Sequence, residues 1–170
     1  QLGPAGLAAF ARAKAMIEEA SFADYPVSPI DYMRDRITKA GFKVAEITGR
    51  SAAIDYSGPK MTLTSVPSEE QGAKGRTTSV RGFNNGGIDA LILNQAGSTG
   101  LSLHASEKAK DQRPRTMLIV QAASNIDTHM QMLGRVHRTG QVIAPAYSQM
   151  MADIPAEMRP ASVLLKKMAS

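Results

Sequence analysis

Apolar residues recur along this chain with two periods, and the alternation between them predicts its elements. Over residues 4–20 (PAGLAAFARAKAMIEEA), Leu7, Phe10, Ala13 and Ile17 fall at helical spacing in an Ala-, Lys- and Glu-rich stretch, with Pro4 near the first turn. Residues 21–27 form a connector. Ser28-Pro29-Ile30-Asp31 reads as a helix start: a hydroxyl at the cap, proline at the first helical position, an acid at the third. Ile30, Met33, Ile37 and Ala40 then make one stripe, and Gly41 ends the helix. Residues 42–47 (FKVAEI) read as a strand, and 52–57 and 61–66 flank Gly58-Pro59 as a short hairpin. Residues 68–76 are polar with two glycines and read as a loop; 77–85 read as a short helix with Val80 and Phe83 inward.

The apolar runs at 88–93 (IDALIL) and 116–121 (TMLIVQ) have the character of strands buried on both faces. Between them, 104–115 is polar and basic, expected as a solvated loop. Residues 125–138 read as one helix with Ile126, Met130, Leu133 and Val136 towards the core, 147–151 as a last strand and 161–168 as a final amphipathic helix. Alternating helices and strands predict an α/β fold with a mostly parallel central sheet covered on both faces. The expected division is an N-terminal helix and connector, 1–27, and one domain, 28–170.

Composition narrows the partners more than the fold. The 170 residues carry a net charge of +5, which favours an anionic partner such as nucleic acid. Aromatic residues make up 5% of the chain, with no Trp, so a base-stacking platform is not expected. There is no cysteine, which excludes disulfides and thiolate metal sites, and fits a reducing compartment. No apolar run is long enough to span a membrane. The chain opens at Gln1 rather than Met and is expected to be a fragment or a processed product.

Two stretches carry candidate chemistry. In QMLGRVHRTGQ (131–141), Arg135 and Arg138 are three residues apart, so on a helix both guanidiniums reach one object. A guanidinium is a planar fork suited to phosphate oxygens, and Gly134 removes a side chain where something comes close. In LILNQAGSTGLSL (91–103), Gly97 and Gly100 follow a buried strand, where backbone N–H groups can approach a ligand. The plain alternatives are a solvated helix face for the arginines and an ordinary strand-to-helix turn for the glycines. His137 is read as a structural or interface residue, and His104 and His129 have no partners at metal spacing, so no metal ligand is expected. The methionines read as core filling.

Together these stretches resemble the second RecA-like domain of superfamily-two helicases and translocases. Gln131-x-x-Gly134-Arg135-x-x-Arg138 looks like helicase motif six, and GRVHRTGQ is similar to its form in double-strand translocases. Residues 91–102 look like motif five, and Thr48-Gly49-Arg50 like the motif-four-a loop. More narrowly, LSLHASEKAKDQRPRTMLIV, QMLGRVHRTGQVIAPAY and MRPASVLL resemble the strawberry notch helicase-like family, from about residue 25 to the end. The resemblance implies a three-layer α/β/α, RecA-like domain of the P-loop NTPase type. It implies Arg138 as an arginine finger at the γ-phosphate of ATP, with Arg135 beside it, a class of contact worth roughly 10³–10⁵ in rate. Gly100, Ser102, Gln131 and Gly134 would meet the nucleotide; Ser102 stands where several helicase families place Asp. Thr48, Gly49, Arg50, Asn94, Gln95 and Thr99 would lie along a DNA or RNA backbone.

The sequence has no G-x-x-x-x-G-K-[ST] phosphate loop. In the family that loop lies on an N-terminal RecA-like domain, which would hold ATP and Mg²⁺. This chain is therefore expected to supply arginines across a cleft and not to hydrolyse ATP by itself. The alternative is a non-catalytic nucleic-acid- or protein-binding module derived from a helicase domain. Either reading implies an intracellular protein with no membrane partner, nuclear in a eukaryote and cytoplasmic in a bacterium or phage.

Overall fold

A computed structural model of the chain describes residues 3–20, 25–98, 100–123 and 125–169. Helix α1 (Pro4–Glu19) buries none of its residues; Leu7, Phe10, Met16 and Ile17 are all exposed. Helix α2 (Pro29–Lys39) starts where its sequence predicts, with the Ser28 hydroxyl accepting from the Asp31 N–H at 3.4 Å. It leads through Gly41 (φ +89°) into β1 (Val44–Ile47), of which Ala45, Glu46 and Ile47 are buried.

Strand β1 pairs in parallel with β4 (Ala90–Leu93), from Val44 opposite Ala90 to Ile47 opposite Leu93. Between them lie the hairpin of β2 (Ala52–Asp55) and β3 (Thr62–Ser65), a 3-10 turn at Ser68–Glu70, and α3 (Gly72–Asn84). After β4 comes the single turn α4 (Gln95–Ser98). A second parallel pair joins β5 (Thr116–Ile119) to β6 (Ala146–Gln149), separated by α5 (Ile126–Leu133). Helix α6 (Pro155–Met168) closes the chain and buries Ala161 and Leu164.

The mixed α/β architecture with mostly parallel pairing is the one expected of a RecA-like domain. Among the described residues, however, the strands form three two-stranded ladders rather than one continuous sheet. The core joins them through side chains instead. Ile47, Leu101, Leu103 and Val136 form its buried centre, with Val80, Phe83, Leu91, Leu93 and Met117 packed around it.

Several boundaries differ from the sequence reading. The polar stretch 68–76 is not a loop, because α3 begins at Gly72. Helix α5 stops at Leu133 with Gly134 as its C-cap, so Arg135 and Arg138 lie beyond it. Its buried position is His129, 3% exposed, whereas Met130 is 51% exposed. In the basic stretch before β5, Lys108, Lys110 and Arg113 are exposed as a solvated loop predicts, but one cation is docked. Arg115 is buried, donates to Asn84 Oδ1 at 2.8 Å and to the Leu103 carbonyl, and lies 4.9 Å over the Phe83 ring. Arg113 is exposed but pairs with Asp89 and Asp111.

Candidate functional site

After α5 the chain tightens. The Arg135 N–H donates to the Met132 carbonyl and the Val136 N–H to that of Leu133, both three residues back. Helical apolar spacing thus continues past the helix end, with Val136 turned into the core. Arg138 to Gln141 then form a four-residue turn. The Gln141 N–H donates to the Arg138 carbonyl at 3.2 Å, and Gly140 at the third position has φ +85°, as a type II turn requires. The Gln141 side chain closes the same turn by accepting from the Arg138 N–H at 3.1 Å.

The segment after Gly100 lies against this loop. Leu103 N–H donates to the Arg135 carbonyl at 2.8 Å, Val142 N–H to the Ala105 carbonyl at 2.8 Å, and Ser106 bridges to Gln141. The two stretches that carry candidate chemistry therefore meet, through backbone bonds that do not depend on their side chains.

Around this seam the side chains are basic. Arg76, from α3, stands so close to Gly100 that a Cβ there would be 3.8 Å from its Nη2. Burial, then repulsion from Arg76 and from Arg138, lowers the pKa of Arg135. Its Nε is buried with no hydrogen-bond partner. Among the described residues no carboxylate forms an ion pair with Arg135 or Arg138. Arg76, Arg81, Asn84, Gly100 and Ser102 help line an open groove of about 450 Å³. Like charges gathered together repel one another, and an anion relieves them. Ser102 Oγ and His104 Nδ1 share a hydrogen bond of 2.7 Å. Burial, then Arg138 and Arg115, lowers the His104 pKa and favours its neutral ring.

Gly134 has an ordinary φ of −63°, and a Cβ there would come no nearer than 3.4 Å to the Met130 carbonyl oxygen, so packing within the chain does not demand glycine. Gln131 is exposed. Gly97 is different: a Cβ there would lie 2.0 Å from the Ile47 carbonyl oxygen. Its glycine serves the close approach of α4 to the end of β1, and its N–H donates to Asn94 Oδ1 at 2.7 Å.

The backbone-facing set is more committed to the fold than the sequence suggested. Because β1 and β4 are parallel, Thr48 and Asn94 emerge at one edge, and Asn94 Nδ2 donates to the Thr48 carbonyl at 2.8 Å. Thr48 is buried, with its hydroxyl donating to Glu46 Oε1 at 2.7 Å. The Arg50 guanidinium is spent on carboxylates: Asp31, and Glu46 at 2.6 Å. Arg34 completes the network by pairing with Glu70 at 2.5 Å. Gly49 (φ +76°) and Gln95 are exposed, and Thr99 lies outside the described residues.

Sequence reasoning missed Arg76, Arg115 and the acids Asp31, Glu46 and Glu70. Only the cap position of Asp31 carried a signal. Among the described residues no three His, Cys, Asp or Glu are grouped to hold a metal ion, and no helix is long and apolar enough to cross a membrane.

Comparison with known proteins bears on the same stretches. The family described as the C-terminal domain on Strawberry notch homologue matches residues 29–170. Human protein strawberry notch homolog 2 is 31% identical over 150 residues, covering 86% of this chain and 11% of that protein. Drosophila protein strawberry notch is 30% identical over 153 residues, 85% of this chain and 9% of that protein. Arabidopsis protein FORGETTER 1 is 28% identical over 164 residues, 95% of this chain and 13% of that protein. The chain thus spans about a tenth of the length of these relatives.

Proposed function

Because this chain belongs to the strawberry notch family, as its helicase-like C-terminal domain, we propose that it is the second half of an ATP-dependent DNA helicase or translocase motor. Arg138 and Arg135 act on the γ-phosphate of ATP bound by an N-terminal RecA-like domain of the same polypeptide. Such arginines neutralise charge in phosphoryl transfer and perform no proton chemistry. The observation that carries this reading is the convergence of Arg135, Arg138 and Arg76 beside Gly100 and Ser102 with no paired carboxylate on the first two.

Each residue then has a task. Val136, buried between the two arginines in sequence, holds their loop, and the Gln141 turn sets the course of the chain around Arg138. Ser102, oriented by neutral His104, offers a hydroxyl to the nucleotide. The donor set fits an anion and not Mg²⁺, since among the described residues no carboxylate lines the groove. Mg²⁺ would therefore be held by the other domain, where it would supply charge neutralisation to the phosphates. Opening and closing of the two halves would step the protein along the nucleic-acid backbone.

The test is the DNA-stimulated ATPase rate of the full-length protein against its Arg138→Ala form. A fall approaching roughly 10³-fold or more is expected. Near-equal rates overturn the proposal.

A further inference from the structure

Arg115 stands immediately before β5, 7% exposed, and none of the contacts proposed for ATP or nucleic acid involves it. A buried guanidinium loses its hydration and must find acceptors within the fold. Three neutral ones meet it. Nη1 donates to Asn84 Oδ1 at 2.8 Å and to the Leu103 carbonyl, and Nη2 donates to the Asp111 carbonyl at 3.3 Å. The guanidinium carbon also lies 4.9 Å from the centre of the Phe83 ring. A planar fork can hold several acceptors and stack on a ring at once, which a lysine ammonium cannot. Packing alone does not call for a charge here, since an apolar side chain would fill the space with no hydration to lose.

Two of the three acceptors lead to the arginine site. Leu103 is 3% exposed and is gripped from both sides: its carbonyl accepts from Arg115, and its N–H donates to the Arg135 carbonyl at 2.8 Å. One residue therefore separates the Arg115 guanidinium from the backbone of Arg135. Asn84 helps line the groove that Arg76 and Ser102 also line. Because a guanidinium only donates, the amide oxygen of Asn84 faces Arg115, and the end left for a ligand is its N–H₂ donor. The Asp111 N–H donates to the Asn84 carbonyl at 3.0 Å, so the third acceptor braces the same residue.

We infer that Arg115 is a positioning residue for the proposed ATP hydrolysis: through Leu103 it sets the loop of Arg135 and Arg138 against the Gly100 segment, and through Asn84 it presents a donor to the anion. It touches no phosphate itself. The inference rests on the reading of Arg135 and Arg138 as contacts to ATP, and it extends the arginine site to a side chain behind it.

The test uses the full-length protein with Arg115→Lys, Asn84→Ala, Arg138→Ala, and Arg115→Lys combined with Arg138→Ala. DNA-stimulated ATPase assays give kcat and KM for ATP separately, and hydrogen–deuterium exchange by mass spectrometry reads residues 101–106. Displacing a reacting group by about 1 Å costs up to roughly a hundredfold, so Arg115→Lys should lower kcat about ten- to a hundredfold. KM for ATP should stay within about twofold, since the lost contact acts in the transition state. Exchange over residues 101–106 should quicken. In the Arg138→Ala background, Arg115→Lys should lower kcat no further, because the group it positions is gone.

A merely structural role would instead add its loss in full to that of Arg138→Ala, and this result overturns the inference. So does a parent-like kcat in folded Arg115→Lys, which leaves the motor reading intact. A parent-like kcat in Arg138→Ala overturns both. Thermal melts identify a variant that has lost its fold. Should Arg115→Lys be one, Asn84→Ala decides: it keeps the guanidinium but removes an acceptor that orients it, and it must show both the faster exchange and a several-fold fall in kcat.

Discussion

The backbone N–H of Leu103 donates to the carbonyl of Arg135 across 2.8 Å. This bond ties the stretch after β4 to the loop after α5, and it carries one consequence for stability. Arg135 is held in place by its backbone, so its side chain need not contribute to folding. Its buried, unpartnered Nε and its repulsion from Arg76 and Arg138 mean that it works against folding.

Arg135→Met should therefore leave stability unchanged or raise it by up to about 1 kcal/mol, the pattern of a site held for function. Pyrophosphate should raise the melting temperature of the parent and do so less for Arg135→Met. Differential scanning fluorimetry across a pyrophosphate series reads both effects. Clear destabilisation by Arg135→Met, with an undiminished pyrophosphate response, would contradict the picture of a strained anion site.

Arg50 has the opposite character. Removing it leaves Asp31 and Glu46 buried without their shared cation, and Arg50→Ala should cost about 3–5 kcal/mol in chemical denaturation. Burial raises the pKa of both acids, but hydrogen bonds, from Arg50 above all, more than reverse this and lower each below its ordinary value of 3.8 for Asp31 and 4.5 for Glu46. Their contribution is thus fully present above those values and is lost as the pH falls through the lower folded-state ones. In Arg50→Ala, burial acts unopposed by that cation, so acidification from pH 7 should lose less stability, or gain some. Denaturation midpoints at several pH values test the sign.

His104 gives a separate pH signature. Its folded pKa lies below the ordinary 6.5, through burial first and then Arg138 and Arg115. Protonation therefore opposes folding: the contribution is present above about pH 6.5 and is lost as the pH falls through the folded value. His104→Gln should flatten stability between about pH 7 and 5. An anion bound at Arg138 should raise the His104 pKa, which NMR titration of the imidazole with and without pyrophosphate would detect.

Gly97 and Gly100 separate two uses of glycine. A methyl group at Gly97 would press on the Ile47 carbonyl, so Gly97→Ala should cost several kcal/mol by overpacking against backbone. At Gly100 the obstacle is only φ +73°, and Gly100→Ala should cost about 1 kcal/mol. Comparable losses at the two positions, measured in urea, would mean that α4 yields where the structure shows it fixed.

How much of this could be read from the residues depended on range. The strands around Val44–Ile47, Ala90–Leu93 and Thr116–Ile119 were legible because each is written as a local apolar run, but the last is not buried on both faces, since Leu118 is 60% exposed. The end of α5 was not, because the turns through Arg135 and Val136 keep apolar residues at helical spacing after the helix has stopped. The start of α3 was hidden by glycines that look like loop punctuation. Gly75 is in fact buried, and a Cβ there would lie 2.2 Å from the Glu70 backbone. The meeting of Gly100–Leu103 with Arg135 was expected from the resemblance, whereas Arg76 was not, since nothing in GAKGR marks an arginine that tertiary packing will bring to Gly100. Arg115 was read as part of a solvated basic run, and only the contacts with Phe83 and Leu103 show why one cation in that run is buried.

Val136 has a consequence for timing. With its side chain in the core and the Gln141 turn closed behind it, the loop bearing Arg135 and Arg138 acquires its shape when the domain folds. Ordering a free backbone costs about 1–2 kcal/mol per residue, and here that cost falls before any anion arrives. What remains at the moment of encounter is an approach of rigid bodies, so the rate at which two such surfaces close should be set by diffusion and hinge motion and not by a search among loop conformations.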